Sequence, residues 1–389
     1  MPDIRLPTAD RRMVSYRTRT RTPQWEKANG ASRNRIFFSA AHVVADPLAD
    51  ADPWVSATLD WDATIAYRRY LWSLGLGVAE AMDTAQRGMG LDWPTALELI
   101  RRSVEAARDI PGALVFSGAG TDHLAPSPKL TIDDVIRGYE EQADAIESVG
   151  GRIILMASRA LVAAAKSPDD YATVYGRILR AVKEPVIIHW LGEMFDPTLA
   201  GYWGAADHDL AMDVCLGILA EHADKIDGIK ISLLDKDKEI AMRRRLPAGI
   251  RMYTGDDFNY PELIAGDEQG HSDALLGIFD AIAPAASAAL AALGRGSTNE
   301  YHDILAPTVP LSRHIFKAPT RFYKTGIVFL AYLNAHQRHF RMVGGQESAR
   351  SLVHLAEIFR LADKAGILLD PDLAAARMRS VLNVAGLDQ

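Results

Sequence analysis

Lys230 lies inside an apolar run, Gly228-Ile229-Lys230-Ile231-Ser232, and a strand over that run points its ammonium toward an interior. A buried ammonium is costly unless it is paired or its pKa is depressed. Depressed lysines are the ones that condense with carbonyl groups to form Schiff bases. A lysine held by Asp256 or Glu193 as a buried ion pair fits the same pattern.

Other ionisable and hydrogen-bonding residues recur at the ends of short apolar segments. They are His42, then Asp83 with Thr84, Asp122 with His123, and Ser158 with Arg159. His189, Trp190 and Glu193 follow, and then Asp256 and Asp257. So many such groups at segment ends exceed what stability asks for. Singly, each has a plainer reading, and His42 and His123 suit ordinary loop histidines equally well.

The elements that must carry these residues alternate along the chain. Strand-like segments cover about 35–42, 77–82, 113–117, 152–157, 185–190, 227–231 and 250–254, with a weaker eighth at 274–279. Amphipathic helical stretches follow them. Asp60, Asp92-Trp93-Pro94 and Thr131-Ile132-Asp133-Asp134 mark helix starts by capping and first-turn proline. Eight strand–helix units predict an α/β fold, a (β/α)8 TIM barrel over residues 34–294. In that fold the C-terminal strand ends gather at one mouth, where the active site sits. A doubly wound sheet would want a glycine-rich turn after its first strand, and Ala40-Ala41-His42-Val43-Val44 has none.

Residues 295–389 read as helices only, at about 297–306, 319–338, 348–365 and 371–384, forming a C-terminal helical appendage. Within it Arg313, Arg321, Tyr323 and Lys324 are read as inter-helix contacts, with a phosphate or carboxylate site as the alternative. Val343–Ser348 suits either a loop reaching the barrel mouth or a helix-to-helix turn capped by Ser348.

Composition is ordinary for a globular chain of 389 residues, with 48% hydrophobic and 24% charged. No apolar run is long enough to span a membrane. A single cysteine, Cys215, excludes an internal disulfide framework and multi-cysteine metal sites, and a cytoplasmic location is expected. The net charge of −7 is uneven: residues 1–33 form a basic N-terminal arm with eight cations against three acids, leaving −12 on the rest. An acidic body is a poor partner for nucleic acid, so the arm is expected to pack on its own barrel or on a neighbouring subunit.

Asp227-Gly228-Ile229-Lys230, followed by Tyr253-Thr254-Gly255-Asp256-Asp257, resembles the sixth and seventh strands of the dihydrodipicolinate synthase / N-acetylneuraminate lyase superfamily. Gly277–Pro284 is similar to its eighth strand. Ala41–Pro47, Glu80–Gly88, His189–Gly192 and Gly255–Tyr260 more closely resemble a branch designated a domain of unknown function (DUF993). The resemblance implies that Lys230 forms the imine.

Departures from the superfamily pattern are informative. Its Gly-Thr-Thr-Gly-Glu turn, which binds a keto-acid carboxylate, is replaced by Ala81-Met82-Asp83-Thr84-Ala85-Gln86. Asp83 would repel a carboxylate. His189 occupies the register of the proton-relaying tyrosine, and Glu193-Met194-Phe195 the place of a carboxylate-binding arginine. The expected activity is therefore a class I aldol cleavage or dehydration of a keto-sugar, sugar-derived acid or related 2-oxo compound.

In that reading Lys230 and His189 are catalytic. The substrate is bound by Asp83, Thr84, His42, His123, Trp190, Glu193, Asp256 and Asp257, the indole packing on its C–H groups. The covalent imine needs no cofactor. Two rivals remain: a divalent-metal barrel isomerase, epimerase or aldolase holding Mg2+ or Mn2+ through Glu80, Asp83, His189, Glu193, Asp256 and Asp257, and a non-catalytic sugar-binding barrel. Glu80 alternates away from Asp83, which weakens the metal set. A homo-oligomer, dimer or tetramer, is expected, with neither nucleic acid nor membrane as a partner.

Overall fold

The computed structural model describes residues 3–19, 23, 25–28 and 34–387. An antiparallel hairpin comes first, β1 (Asp3–Pro7) with β2 (Met13–Arg17). Eight parallel strands then close into a barrel: β3 (Phe37–Ala40), β4 (Gly77–Glu80), β5 (Val115–Ala119), β6 (Arg152–Leu155), β7 (Val186–Leu191), β8 (Ile226–Ser232), β9 (Arg251–Thr254) and β10 (Asp273–Leu276). Neighbours follow chain order and β10 returns to β3, so the fold is a (β/α)8 barrel.

Local signals start the helices where the sequence places them. Asp60 caps Trp61–Ser73, Asp92 with Pro94 opens Trp93–Arg108, and a Thr131/Asp134 capping box opens Ile132–Ser148. The eighth strand is shorter than expected. It stops at Leu276, and Ile278–Ala281 is already a buried helical turn, because a fully buried apolar run has no period to distinguish strand from helix.

Strand alternation sorts the barrel's side chains into two sets. Phe38, Phe116, Ile154, Ile187, Tyr253 and Leu275 fill the interior. Ile188, Trp190, Ile229 and Ile231 face the surrounding helices. Adjacent strands align His189 with Lys230, and Lys230 with Tyr253, so His189 and Lys230 stand above the apolar plug on the inward face.

The C-terminal helices Thr298–Leu305, Val309–Ile315, Tyr323–Leu333, Leu352–Lys364 and Pro371–Val384 share one continuous apolar core with the barrel's outer layer. The hairpin packs on this appendage. Ile4 and Leu6 are buried, Tyr16 Oη donates to Asp363 at 2.7 Å, and Arg360 reaches the carbonyl of Pro7 at 3.2 Å. Farther along the arm, Ala28 N donates to Ser287 Oγ on a barrel helix at 3.0 Å. Arg21 and Arg33 of the basic arm lie outside the described residues. No helix among the described residues is long and apolar enough to cross a membrane.

Candidate active site at the barrel mouth

Lys230 is 7% exposed and forms no hydrogen bond or ion pair among the described residues. It lines a chamber of about 300 Å³ with Asp83, Thr84, Ser232, Asp257 and Tyr323. Burial pulls its pKa below the usual lysine value, while the nearby charges of Asp257 and Asp83 act in the opposite sense. Gly255 makes the lysine's position possible: a Cβ there would stand 2.2 Å from Ser232 Oγ and 2.9 Å from Lys230 Cε.

Asp257 is the carboxyl that faces Lys230. Burial pushes it up to about 7, although the Ile278 amide, donating to Oδ1 at 2.9 Å, favours the ionised form. Ser312, on an appendage helix, donates to the Asp257 carbonyl and fixes that turn. Amine and carboxyl thus form a coupled pair in which each charge favours the other.

Asp83 and Thr84 arrive on a sharp turn after β4, with Ala81 and Gln86 at φ of 51° and 69°. Thr84 Oγ1 lies 2.8 Å from Tyr323 Oη, so the appendage supplies a phenol to the lysine's chamber. His189 is buried in the adjoining cleft, which shares Asp83 and Leu191 with that chamber. Its Nε2 lies 3.2 Å from Ser232 Oγ, and its Nδ1 has no partner among the described residues. Burial first, and then the Lys230 charge, hold the imidazole's pKa well below its ordinary value. Both effects favour the neutral imidazole.

Lys230, His189, Asp83, Thr84 and Asp257 are therefore brought together, and five other expected residues are not. Trp190 points outward, against Trp203 and His208 with ring centroids at 6.2 and 6.0 Å, because alternation forbids it the face His189 occupies. Glu193 pairs with His208 at 3.3 Å. Asp256 closes its own turn, accepting from the Phe258 and Asn259 amides at 2.8 and 3.0 Å. His42 is held by Asp280 at 2.8 Å with the Tyr67 ring tilted against it at 54°. His123 is fixed by Gln142 at 2.8 Å.

Asp83, on which the expected repulsion of a carboxylate rested, does line the chamber beside Lys230. Glu193 and Asp256 are engaged elsewhere, and burial raises Asp257 to about 7. The cations Arg87 and Arg159, ion-paired to Asp122 and Asp196, also line the mouth. Ser232 was legible as the next inward position after Lys230. Arg87 had no local signal, and Tyr323, expected as an inter-helix contact or part of an anion site, is brought to the lysine's chamber by the appendage.

Of the six metal donors, Glu80, Glu193 and Asp256 stand apart from Asp83, His189 and Asp257. Glu80 is buried behind β4 in a two-bond pair with Arg68, 2.9 Å each. Among the described residues no group of three or more His, Cys, Asp or Glu is placed to hold an ion.

A family model described as "Protein of unknown function (DUF993)" matches residues 4–387. The chain belongs to this family. The DUF993 match spans the hairpin, the barrel and the appendage alike. No curated protein matches the chain. Among solved structures, the DUF993 chain is similar in fold to the dihydrodipicolinate synthase of Thermotoga maritima (TM-score 0.62, 15% identity, covering 86% of this chain and 99% of that one). It is likewise similar to those of Bacillus clausii (0.61, 16%, 84% and 96%) and Aquifex aeolicus (0.60, 12%, 91% and 98%). At these identities the likeness is one of fold.

Proposed function

We propose that the chain is a class I lyase, forming a Schiff base between Lys230 and a keto-sugar, sugar-derived acid or related 2-oxo compound. The observation that carries this reading is the unpaired Lys230 on the inward face of β8, at the C-terminal mouth of the barrel, with its pKa depressed by burial. The resemblance around Lys230 and the Gly255-Asp256-Asp257 turn supports it, as does the fold shared with dihydrodipicolinate synthases.

Neutral Lys230 attacks the carbonyl carbon, Asp257 exchanges the proton, and water leaves with the carbonyl oxygen. In the protonated imine the bond between the α and β carbons breaks, and its electron pair enters the imine to give an enamine. The β-hydroxyl proton passes to His189 through Ser232, and the aldehyde fragment departs. Protonation of the enamine and hydrolysis of the imine return the ketone and free Lys230. Thr84 and Tyr323 orient the substrate oxygens, and Asp83 accepts from hydroxyls.

A panel of keto-sugars and sugar-derived keto acids, scored for aldehyde release or dehydration, tests the reading. Turnover that survives a chelator and disappears in Lys230→Ala is expected. Chelator-sensitive turnover that survives in Lys230→Ala would instead favour the divalent-metal reaction.

A further inference from the structure

Next to the lysine's chamber lies a second one, about 760 Å³ including its open side, and the two share Asp83, Leu191, Phe195 and Tyr323. Its cations are Lys324, Arg321 and Arg159. Lys324 is only 4% exposed, and among the described residues its Nζ has a single polar neighbour, the thioether sulfur of Met89 at 3.0 Å. Among the described residues no carboxylate is bonded to this buried ammonium, although Asp83 and Asp196 line the same chamber and favour its charge. Arg159 uses only Nε toward Asp196, and its guanidinium lies over Gly88, where a Cβ would stand 2.8 Å from Nη1. Arg321 is exposed at the rim.

We propose that this chamber is an anion subsite, holding a phosphate or carboxylate at the end of the substrate remote from its carbonyl, between Lys324 and the two guanidiniums. The inference rests on the lyase reading for the carbonyl end and adds the charge class of the substrate. Burial lowers Lys324 only to about 8, so at neutral pH most of it is ammonium. Asp83 is the anion that both lysines feel, from opposite chambers. A ligand anion would therefore supply Lys324 with a counter-charge of its own. The loop after Met342 closes one side: Gln346 lines the chamber, and Gly344 packs so tightly on Met89 that a Cβ would meet its carbonyl at 2.3 Å.

Two matched probe pairs test this: dihydroxyacetone phosphate against dihydroxyacetone, and levulinate against 2-pentanone. Borohydride labelling of Lys230 by each is compared in wild type and Lys324→Met. The charged member of at least one pair should half-saturate labelling at a concentration lower by about tenfold, a ratio that falls toward one in Lys324→Met. The pair that responds distinguishes phosphate from carboxylate. Arg321→Ala, a rim substitution, should reduce the ratio in the same direction if Lys324→Met does not fold.

Inorganic phosphate supplies a readout without imine chemistry. It should raise the melting temperature of wild type and Lys230→Ala, but not of Lys324→Met. Phosphate stabilisation without any labelling would sink the Schiff-base reading and keep the subsite. Equal labelling within both pairs, with no stabilisation by phosphate, would overturn the subsite.

Discussion

Lys230 and Asp257 set each other's charge state. The Asp257 charge favours the ammonium, and the Lys230 charge favours the carboxylate, while burial disfavours both ions. Removing the anion with Asp257→Asn therefore lowers the lysine's pKa further. The amine then becomes nucleophilic at lower pH, so the acidic limb of the kcat/KM profile should move to lower pH. An unmoved limb would show that Asp257 does not face the reacting amine. At this scale alternation is the rule that sequence reading has to respect. Neighbours on a strand, such as His189 and Trp190, cannot both face the substrate. His189 is the one that faces the barrel interior, and its inward register follows from Lys230 on the adjacent strand.

The helix Lys236–Arg243 is tied to the barrel by Glu239, whose carboxylate accepts from Thr254 Oγ1 at 2.9 Å and Ser272 Oγ at 2.7 Å. Burial pushes Glu239 up to about 8 from 4.5. A raised acid binds its proton more tightly folded than unfolded, so its contribution is complete below pH 4.5 and is lost as pH rises through about 8. Glu239→Gln should thus melt at a higher temperature than wild type at pH 9, with the difference shrinking toward pH 6. A gap independent of pH would contradict this assignment.

The eight strands were legible because short apolar segments bounded by caps and turns define them. Their side-chain facing follows once the register is known. What escaped was carried by loops and distant helices. Arg87 turns back over the mouth, and Tyr323 lies 239 residues beyond its partner Thr84. No local period encodes such approaches. The third expected C-terminal helix, at about 348–365, starts four residues later, at Leu352, where Ser351 caps it. The Val343–Ser348 segment between the helices follows the first of its two readings and reaches the mouth.

At the scale of the molecule, arm, barrel and appendage are joined by burial. The hairpin's Ile4 and Leu6 belong to the same core cluster as Leu355 and Ile358 on the appendage helix beneath. Each such side chain stabilises by about 1.5–3 kcal/mol when withdrawn from water. Deleting residues 1–17 should therefore lower the melting temperature in thermal denaturation by several degrees. No change would mean that the hairpin is not docked in solution. The appendage, in turn, places Tyr323, Lys324 and the Ser312 contact to Asp257 at the mouth. Barrel and appendage together line the candidate site.

The most direct test of the central claim is borohydride treatment with keto acids and keto-sugars, followed by intact mass measurement and peptide mapping. A single reduced adduct on Lys230, absent from Lys230→Ala, is the predicted result. Turnover of a carbonyl substrate with no adduct on any lysine would contradict it.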